Sequence, residues 1–314
     1  MINKRLLGSY RNGNYYVSIY EDGTKVRETE GDSFVPSFAE NIDLKITDEC
    51  DGGCPWCYED AKPDGQHAAL MAENEIEVLD KYIRNLRPFT EVALNGNDLS
   101  HPEILAFLVY LRKKKIITNI TVSQKHFMRN YHRLMGWTER RLIHGLGISL
   151  IDSEDTEFLE KVKHFPNAVI HVISGVFNGV DLDNLAGRDL KLLILGYKEQ
   201  GRGIDYKARN EQDMKYNVEW LEDAIKTELP GQFKVVSFDN LAIEQLHIKE
   251  NLFDGKEAEW DEFYMGDDGE FTFYVDAVNR TYSRDSTVPS NERYPIEDKT
   301  ADKMFRDIRR RQKR

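Results

Sequence analysis

Apolar residues recur along this chain with two periods, and the switch between them outlines the fold. Tyr15–Tyr20 alternates in the two-residue period of a strand and lies between the turn signals Asn12-Gly13 and Asp22-Gly23; Lys25-Val26-Arg27 pairs back after the second turn. From residue 41 strand and helix patterns take turns. Strands are predicted at Ile42–Ile46, Glu91–Leu94, Asn119–Val122, Leu146–Leu150, Ala168–Ile173, Leu190–Leu195 and Lys234–Phe238. Between them, Ile76, Leu79, Ile83 and Leu86 give one helical face over Glu73–Leu86. Ile104, Leu108 and Leu111 give a second, behind a Ser100–Glu103 capping-box spacing. Leu159 and Val162 follow a Ser153 cap, and Met214, Val218, Leu221, Ile225 and Leu229 mark a long helix. Repeated strand–helix units predict a parallel sheet with helices outside it. After about residue 250 the alternation stops: Phe271–Asp276 is a strand and Lys299–Arg311 a terminal helix.

The expected class is therefore α/β, organised as a short N-terminal β-hairpin segment (1–40), a strand–helix barrel (41–245) and an α+β extension capping it (246–314). The 314 residues suffice for one barrel-sized unit with an appendage. No apolar run approaches the ~20 residues of a bilayer span, and the start, Met1–Arg5, lacks the apolar core of a signal peptide. The expectation is a cytoplasmic protein with no membrane partner. The formal charge of −12 weakens general attraction to phosphate backbones, so nucleic acid is a less favoured partner. The one dense basic run, Arg306–Arg314, suits a helix C-terminus.

Cysteine changes the picture. All three lie in one eight-residue window, Cys50-Asp51-Gly52-Gly53-Cys54-Pro55-Trp56-Cys57, directly after the first barrel strand. An odd, tight cluster is a poor disulfide framework and favours metal or redox chemistry. Three thiolates from one loop can hold three irons of a [4Fe–4S] cluster. With no fourth cysteine in the chain, the fourth iron keeps an open position. A zinc site completed by His67 is the competing use of the same thiols. Gly201-Arg202-Gly203 reads as a plain flexible loop, and Asp239 as a helix cap. His101 reads as a surface or capping residue. Gln124, Lys125, His171 and Lys198, near strand ends, are candidate pocket residues, because such folds place chemistry at that pole.

The C-x3-C-x2-C spacing, with Trp56 before the last cysteine, resembles the radical S-adenosylmethionine (radical SAM) superfamily over roughly residues 40–240. The resemblance implies a partial (β/α)6 barrel, with Cys50, Cys54 and Cys57 holding a [4Fe–4S] cluster whose open iron is chelated by S-adenosylmethionine. It implies reductive cleavage of that molecule to a 5′-deoxyadenosyl radical, which abstracts hydrogen from a substrate. An external one-electron donor of flavodoxin or ferredoxin type goes with this, and a small-molecule or peptide substrate. Carried over residue by residue, the turn Asn95-Gly96-Asn97-Asp98 stands where the family receives the methionine amino group, although the usual second glycine and acid are replaced. Ser149 falls at the ribose position, Ser174 and Gly196 near the adenine, and Trp56 beside the cluster. The competing function is a non-catalytic binding module stabilised by zinc or an iron–sulfur cluster.

Overall fold

The computed structural model describes residues 5–70, 85–95 and 98–312. The helix expected over Glu73–Leu86 lies almost wholly outside these residues. Thirteen strands form among the described residues. β1 (Leu6–Asn12), β2 (Tyr15–Tyr20) and β3 (Lys25–Thr29) make an antiparallel sheet in the order β1-β2-β3. The remaining ten form one sheet. β4 (Asn41–Lys45), β5 (Glu91–Leu94), β6 (Ile117–Ser123), β7 (Gly145–Ser149), β8 (Ala168–Ile173), β9 (Lys191–Leu195) and β10 (Val235–Phe238) are all parallel and neighbour one another in chain order. β11 (Thr272–Asp276) pairs parallel with the other side of β4. The antiparallel strands β12 (Thr281–Ser283) and β13 (Tyr294–Pro295) complete that edge.

Among the described residues ten α-helices pack around this sheet: α1 (Ile104–Lys113), α2 (Gln124–Arg129), α3 (Tyr131–Glu139), α4 (Thr156–Val162), α5 (Gly179–Leu185), α6 (Arg202–Thr227), α7 (Asn240–Gln245), α8 (Ile248–Phe253), α9 (Glu257–Phe263) and α10 (Ala301–Gln312). Alternation along the parallel strands sorts the side chains. Ile42, Leu44, Val92, Leu94, Ile120, Val122, Ile148, Ile170, Val172, Leu192 and Ile194 are buried in the outer core, which also takes Phe107, Phe127, Phe158 and Leu221 from the helices. The opposite face carries Asn41, Asp43, Lys45, Glu91, Asn119, Thr121, Ser123, Ser149 and His171, giving the barrel a polar interior.

Two expected caps are placed differently. α4 is capped by Asp155, whose side chain accepts from Phe158 N, while Ser153 donates to Asp181 Oδ1 at 2.7 Å. At α1 no side chain bonds in the capping-box pattern; instead His101 Nδ1 accepts from Glu103 N at 3.1 Å. His101 itself is buried, with Nε2 2.6 Å from Ala68 O, not at the surface. The cap at Asp239 forms as expected, taking Ala242 N at 2.8 Å.

The small sheet closes the N-terminal pole. Glu40, fully buried, receives Arg27 (Nε–Oε1 2.9 Å, Nη2–Oε2 3.0 Å), Lys25 (3.5 Å) and the Tyr15 hydroxyl (2.6 Å). Lys25 also pairs with Glu91 inside the barrel. At the tip of the β2–β3 turn, Glu21 O accepts from Asn167 Nδ2 (2.8 Å) and Asp22 O from Lys191 Nζ (3.4 Å), at the start of β8 and β9. Tyr15, Val17 and Ile19 pack with Phe271 at the start of β11. The hairpin thus reaches from β4 and β11 across to β9.

Among the described residues, no helix is long and apolar enough to cross a membrane.

Candidate functional site

The cysteine loop leaves the C-terminal end of β4 and is held as a closed excursion. Its two limbs bond to each other through Asp48 N–Gln66 O (2.8 Å), Cys50 N–Lys62 O (2.8 Å), Lys62 N–Asp48 O (3.0 Å) and Ala68 N–Ile46 O (2.8 Å). Cys57 N closes a turn onto Cys54 O at 3.2 Å. Gly52 places its N–H 3.3 Å from Cys50 Sγ; a Cβ there would sit 3.3 Å from that sulfur and 3.2 Å from the His126 ring, so glycine lets the loop wrap tightly. Gly53 has φ +63°, which favours glycine.

Two helix starts grip this loop. On one side Asp51 meets His126 Nε2 (2.7 Å) and Arg129 Nη1 (2.5 Å) of α2. Arg129 and then His126 hold the Asp51 carboxyl down at about 2. His126 is set by Ser123, whose hydroxyl lies 3.0 Å from Nδ1 and caps α2 by accepting from His126 N. On the other side Arg202, first residue of α6, bonds Cys57 O through its backbone N–H (3.0 Å) and Cys54 O through Nε (3.1 Å).

The three cysteines are free and half-buried. Burial pushes the Cys54 thiol up, and charge on Cys57 and Cys50 adds to it; Lys125 and Arg202 oppose the rise. Cys50 is pushed up for the same first reason. Thiols gathered on one loop, with Cys50 and Cys54 made costly to ionise by burial, are a donor set suited to a cationic, sulfur-seeking centre. The described residues hold no trio of His, Cys, Asp or Glu drawn together around a single ion. His67, the expected fourth zinc ligand, has both ring nitrogens engaged, Nδ1 with Thr47 Oγ1 (2.7 Å) and Nε2 with Glu49 (3.0 Å). His67 is thus occupied elsewhere, and three free cysteines on one loop are the donor set that an iron–sulfur cluster uses.

The other sequence candidates separate into three groups. Ser149 and His171 stand on the interior face of β7 and β8, in register with each other near the C-terminal ends, and Asn95 directly follows β5. A Cβ on Gly147 would lie 2.3 Å from His171 Cε1 and 2.9 Å from Thr121 Oγ1, so this glycine makes room for the imidazole to cross β7. Lys198 reaches inward, its Nζ 4.0 Å over the Tyr58 ring and 2.8 Å from Ser286 Oγ. Lys125 is exposed, with its charge acting on Cys54.

A second group is committed to structure. Gln124 is buried; its Oε1 accepts from Ile151 N (2.8 Å) and Asp152 N (2.9 Å), and its Nε2 donates to Asp152 O (2.9 Å). It fixes the loop after β7 and leaves no free group for a pocket. Gly196 gives its N–H to Asp239 (2.8 Å), and a Cβ there would meet Leu241 at 2.4 Å. Ser174, just past β8, is fully buried; its N–H bonds Leu195 O at 2.8 Å while its hydroxyl has no partner among the described residues, and the neighbouring Gly175 lies against Met214 and Val218 of α6. Trp56 packs edge-on against Tyr206 of α6, with ring centroids 5.4 Å apart. Gly96 and Asn97 lie outside the described residues.

The sequence reading missed two partners. Arg202 belongs to the segment expected to be a flexible loop, and here it clamps the cysteines. Tyr58, next to Cys57, turns into the barrel beside Lys198; burial holds its hydroxyl far from ionisation. Beside the cysteine loop a cavity of about 590 Å³ opens between residues 58–66, 199–204 and 276–293. Its floor is ionic: Lys45 meets Glu59 and Asp48, both at 2.6 Å, and Arg293 meets Asp276 at 3.3 Å.

His171 carries a pH prediction. Burial depresses its pKa from 6.5 to about 4, so the fold holds it neutral. Its stabilising contribution is complete above pH 6.5 and is lost as pH falls from there through about 4. Thermal unfolding across pH 7 to 4 should show wild type losing stability that His171→Gln retains; parallel curves would contradict the burial argument.

No protein-family model matches the sequence, and no curated protein is similar to it. Among solved structures, Streptococcus suis SuiB bound to S-adenosylmethionine is similar, with TM-score 0.53 at 13% identity over 83% of this chain and 64% of SuiB. SuiB bound to the precursor peptide SuiA gives TM-score 0.48 at 14% identity over 80% of this chain and 60% of SuiB. The chain spans less than two thirds of the length of SuiB. The strand order and this likeness agree on the fold: the chain has an α/β fold built on a parallel sheet running in chain order, with the cysteine loop behind its first parallel strand, and it shares that fold with SuiB.

Proposed function

We propose that this protein is a radical SAM enzyme that generates a 5′-deoxyadenosyl radical and takes a hydrogen atom from a small-molecule or peptide substrate. The observation that carries the reading is the three-cysteine loop, clamped at the C-terminal pole of a polar-lined parallel barrel. Cys50, Cys54 and Cys57 would hold a [4Fe–4S] cluster, which would supply the electron for cleaving the carbon–sulfur bond of S-adenosylmethionine. The chain's own work is to hold, orient and shield. Asp51, His126, Arg129 and Arg202 fix the loop. Ser149, on the interior face, and Asn95, directly after β5, are the polar groups offered to the bound cofactor. His171 and Lys198 line the interior where the substrate lies, and the small sheet at the opposite pole shuts water out. The 590 Å³ cavity beside the loop is the opening on the C-terminal side. A flavodoxin- or ferredoxin-like protein delivers the electron.

Anaerobic reconstitution is expected to give about four irons per chain with three cysteine ligands. Reduction in the presence of S-adenosylmethionine is then expected to release 5′-deoxyadenosine and methionine. A fully loaded, reduced protein that leaves S-adenosylmethionine intact would refute the enzyme reading.

A further inference from the structure

Resting on the radical SAM reading, we infer that Arg202 is a positioning residue for the cluster, fastening the Cys54–Cys57 turn to the start of α6 so that the cradle is folded before iron arrives. One side chain and its own backbone N–H span both ends of the turn. The N–H takes Cys57 O at 3.0 Å and Nε takes Cys54 O at 3.1 Å. Nη1 continues to Ala61 O at 3.0 Å and Asp60 Oδ1 at 3.2 Å on the returning limb. The guanidinium thus ties Cys54 to the returning limb of the loop, while the backbone N–H of the same residue holds Cys57.

The approach of α6 is itself built. Gly201 has φ +53°, and a Cβ there would stand 2.7 Å from Cys57 O and 2.8 Å from Tyr58 O. Any larger residue would push α6 off the loop. The helix start is pinned from behind, where the Tyr197 hydroxyl donates to Gly203 O at 2.6 Å. Asp51, held by α2, anchors the first limb. The loop is therefore secured from two crossovers on different sides of the barrel.

Arg202 also brings charge. Its cation acts on both Cys50 and Cys54. A positive group beside a centre that becomes more negative on reduction favours the reduced form. Lysine keeps the charge but lacks the planar fork that reaches Cys54 O and Ala61 O together. The two roles can therefore be separated.

The test compares wild type with Arg202→Ala, Arg202→Lys and, as a control on the same helix, Lys207→Ala. Backbone amide exchange of the metal-free protein reads the cradle directly. Both Arg202 variants are expected to exchange about tenfold faster over residues 50–62, the scale of one lost charged hydrogen bond. The barrel strands and the Lys207 variant should match wild type. After anaerobic reconstitution both Arg202 variants should hold less than half the iron of wild type. The cluster that does form should have an altered electron paramagnetic resonance signal, with a midpoint potential more negative in Arg202→Ala than in Arg202→Lys. Wild-type exchange and iron content in Arg202→Ala would overturn the inference, and so would full rescue by Arg202→Lys, which would leave charge alone as its role. If wild type itself takes up no iron, the function reading fails, while the exchange comparison still decides whether Arg202 holds the loop.

Discussion

Alanine at any one of Cys50, Cys54 or Cys57 is expected to bring iron content and 5′-deoxyadenosine formation to background while leaving the barrel folded. The chemical half of this expectation follows from the ligand count: the loop is the only source of cysteine in the chain, so nothing replaces a lost thiolate. The structural half follows from where the loop is held. Its limbs are joined by backbone bonds such as Cys50 N–Lys62 O, and the sulfurs are half-buried, outside the core. Substitutions at such positions usually change stability by less than about 0.5 kcal/mol. Circular dichroism melts should superimpose on that of metal-free wild type. Retention of a wild-type cluster spectrum in any single variant would show that the sulfur assignment is wrong.

Glu40→Ala is expected to have the largest effect on stability. The carboxylate is fully buried and answers two cations, Arg27 and Lys25, besides the Tyr15 hydroxyl. Removing it strands Arg27, whose side chain is only 9% exposed, without its counter-charge, while Lys25 keeps Glu91. Deleting one partner of such a buried pair typically costs about 3–5 kcal/mol. For a chain of this size that lowers the melting temperature by on the order of 10 °C. The double variant Glu40→Ala/Arg27→Met should recover part of the loss, because it removes one stranded charge. A melting temperature within about 1 °C of wild type for Glu40→Ala would mean that the hairpin does not depend on this network.

The barrel was legible in the sequence because its strands state their burial plainly. Ile42-Asp43-Leu44-Lys45 alternates cleanly, and the outward members Ile42 and Leu44 are buried as that pattern requires. The cysteine loop was legible because three sulfurs at fixed spacing have few uses. What failed was anything decided by partners distant in the chain. The helices α2 and α3 follow β6 with no intervening loop signal, and Ser123 serves as both the last strand residue and the helix cap. Arg202 looked idle because its partners are carbonyl oxygens about 145 residues earlier, and carbonyls leave no mark in a sequence. Gln124 looked available for chemistry because an amide's bonds to the backbone across a turn cannot be read from composition. The pairing of β11 with β4 joins residues more than 200 apart, so local periodicity showed the strand but not its place in the sheet.

The hairpin lodged against Glu40 and Glu91, spanning from β4 to β9, has a consequence for traffic. A sheet covered at its N-terminal pole is approached from the opposite pole, where the cysteine loop lies. On the proposed function, methionine and nucleoside would leave on the side where substrate arrives, so the sequence of departures, rather than bond cleavage alone, would set how soon the next catalytic cycle begins.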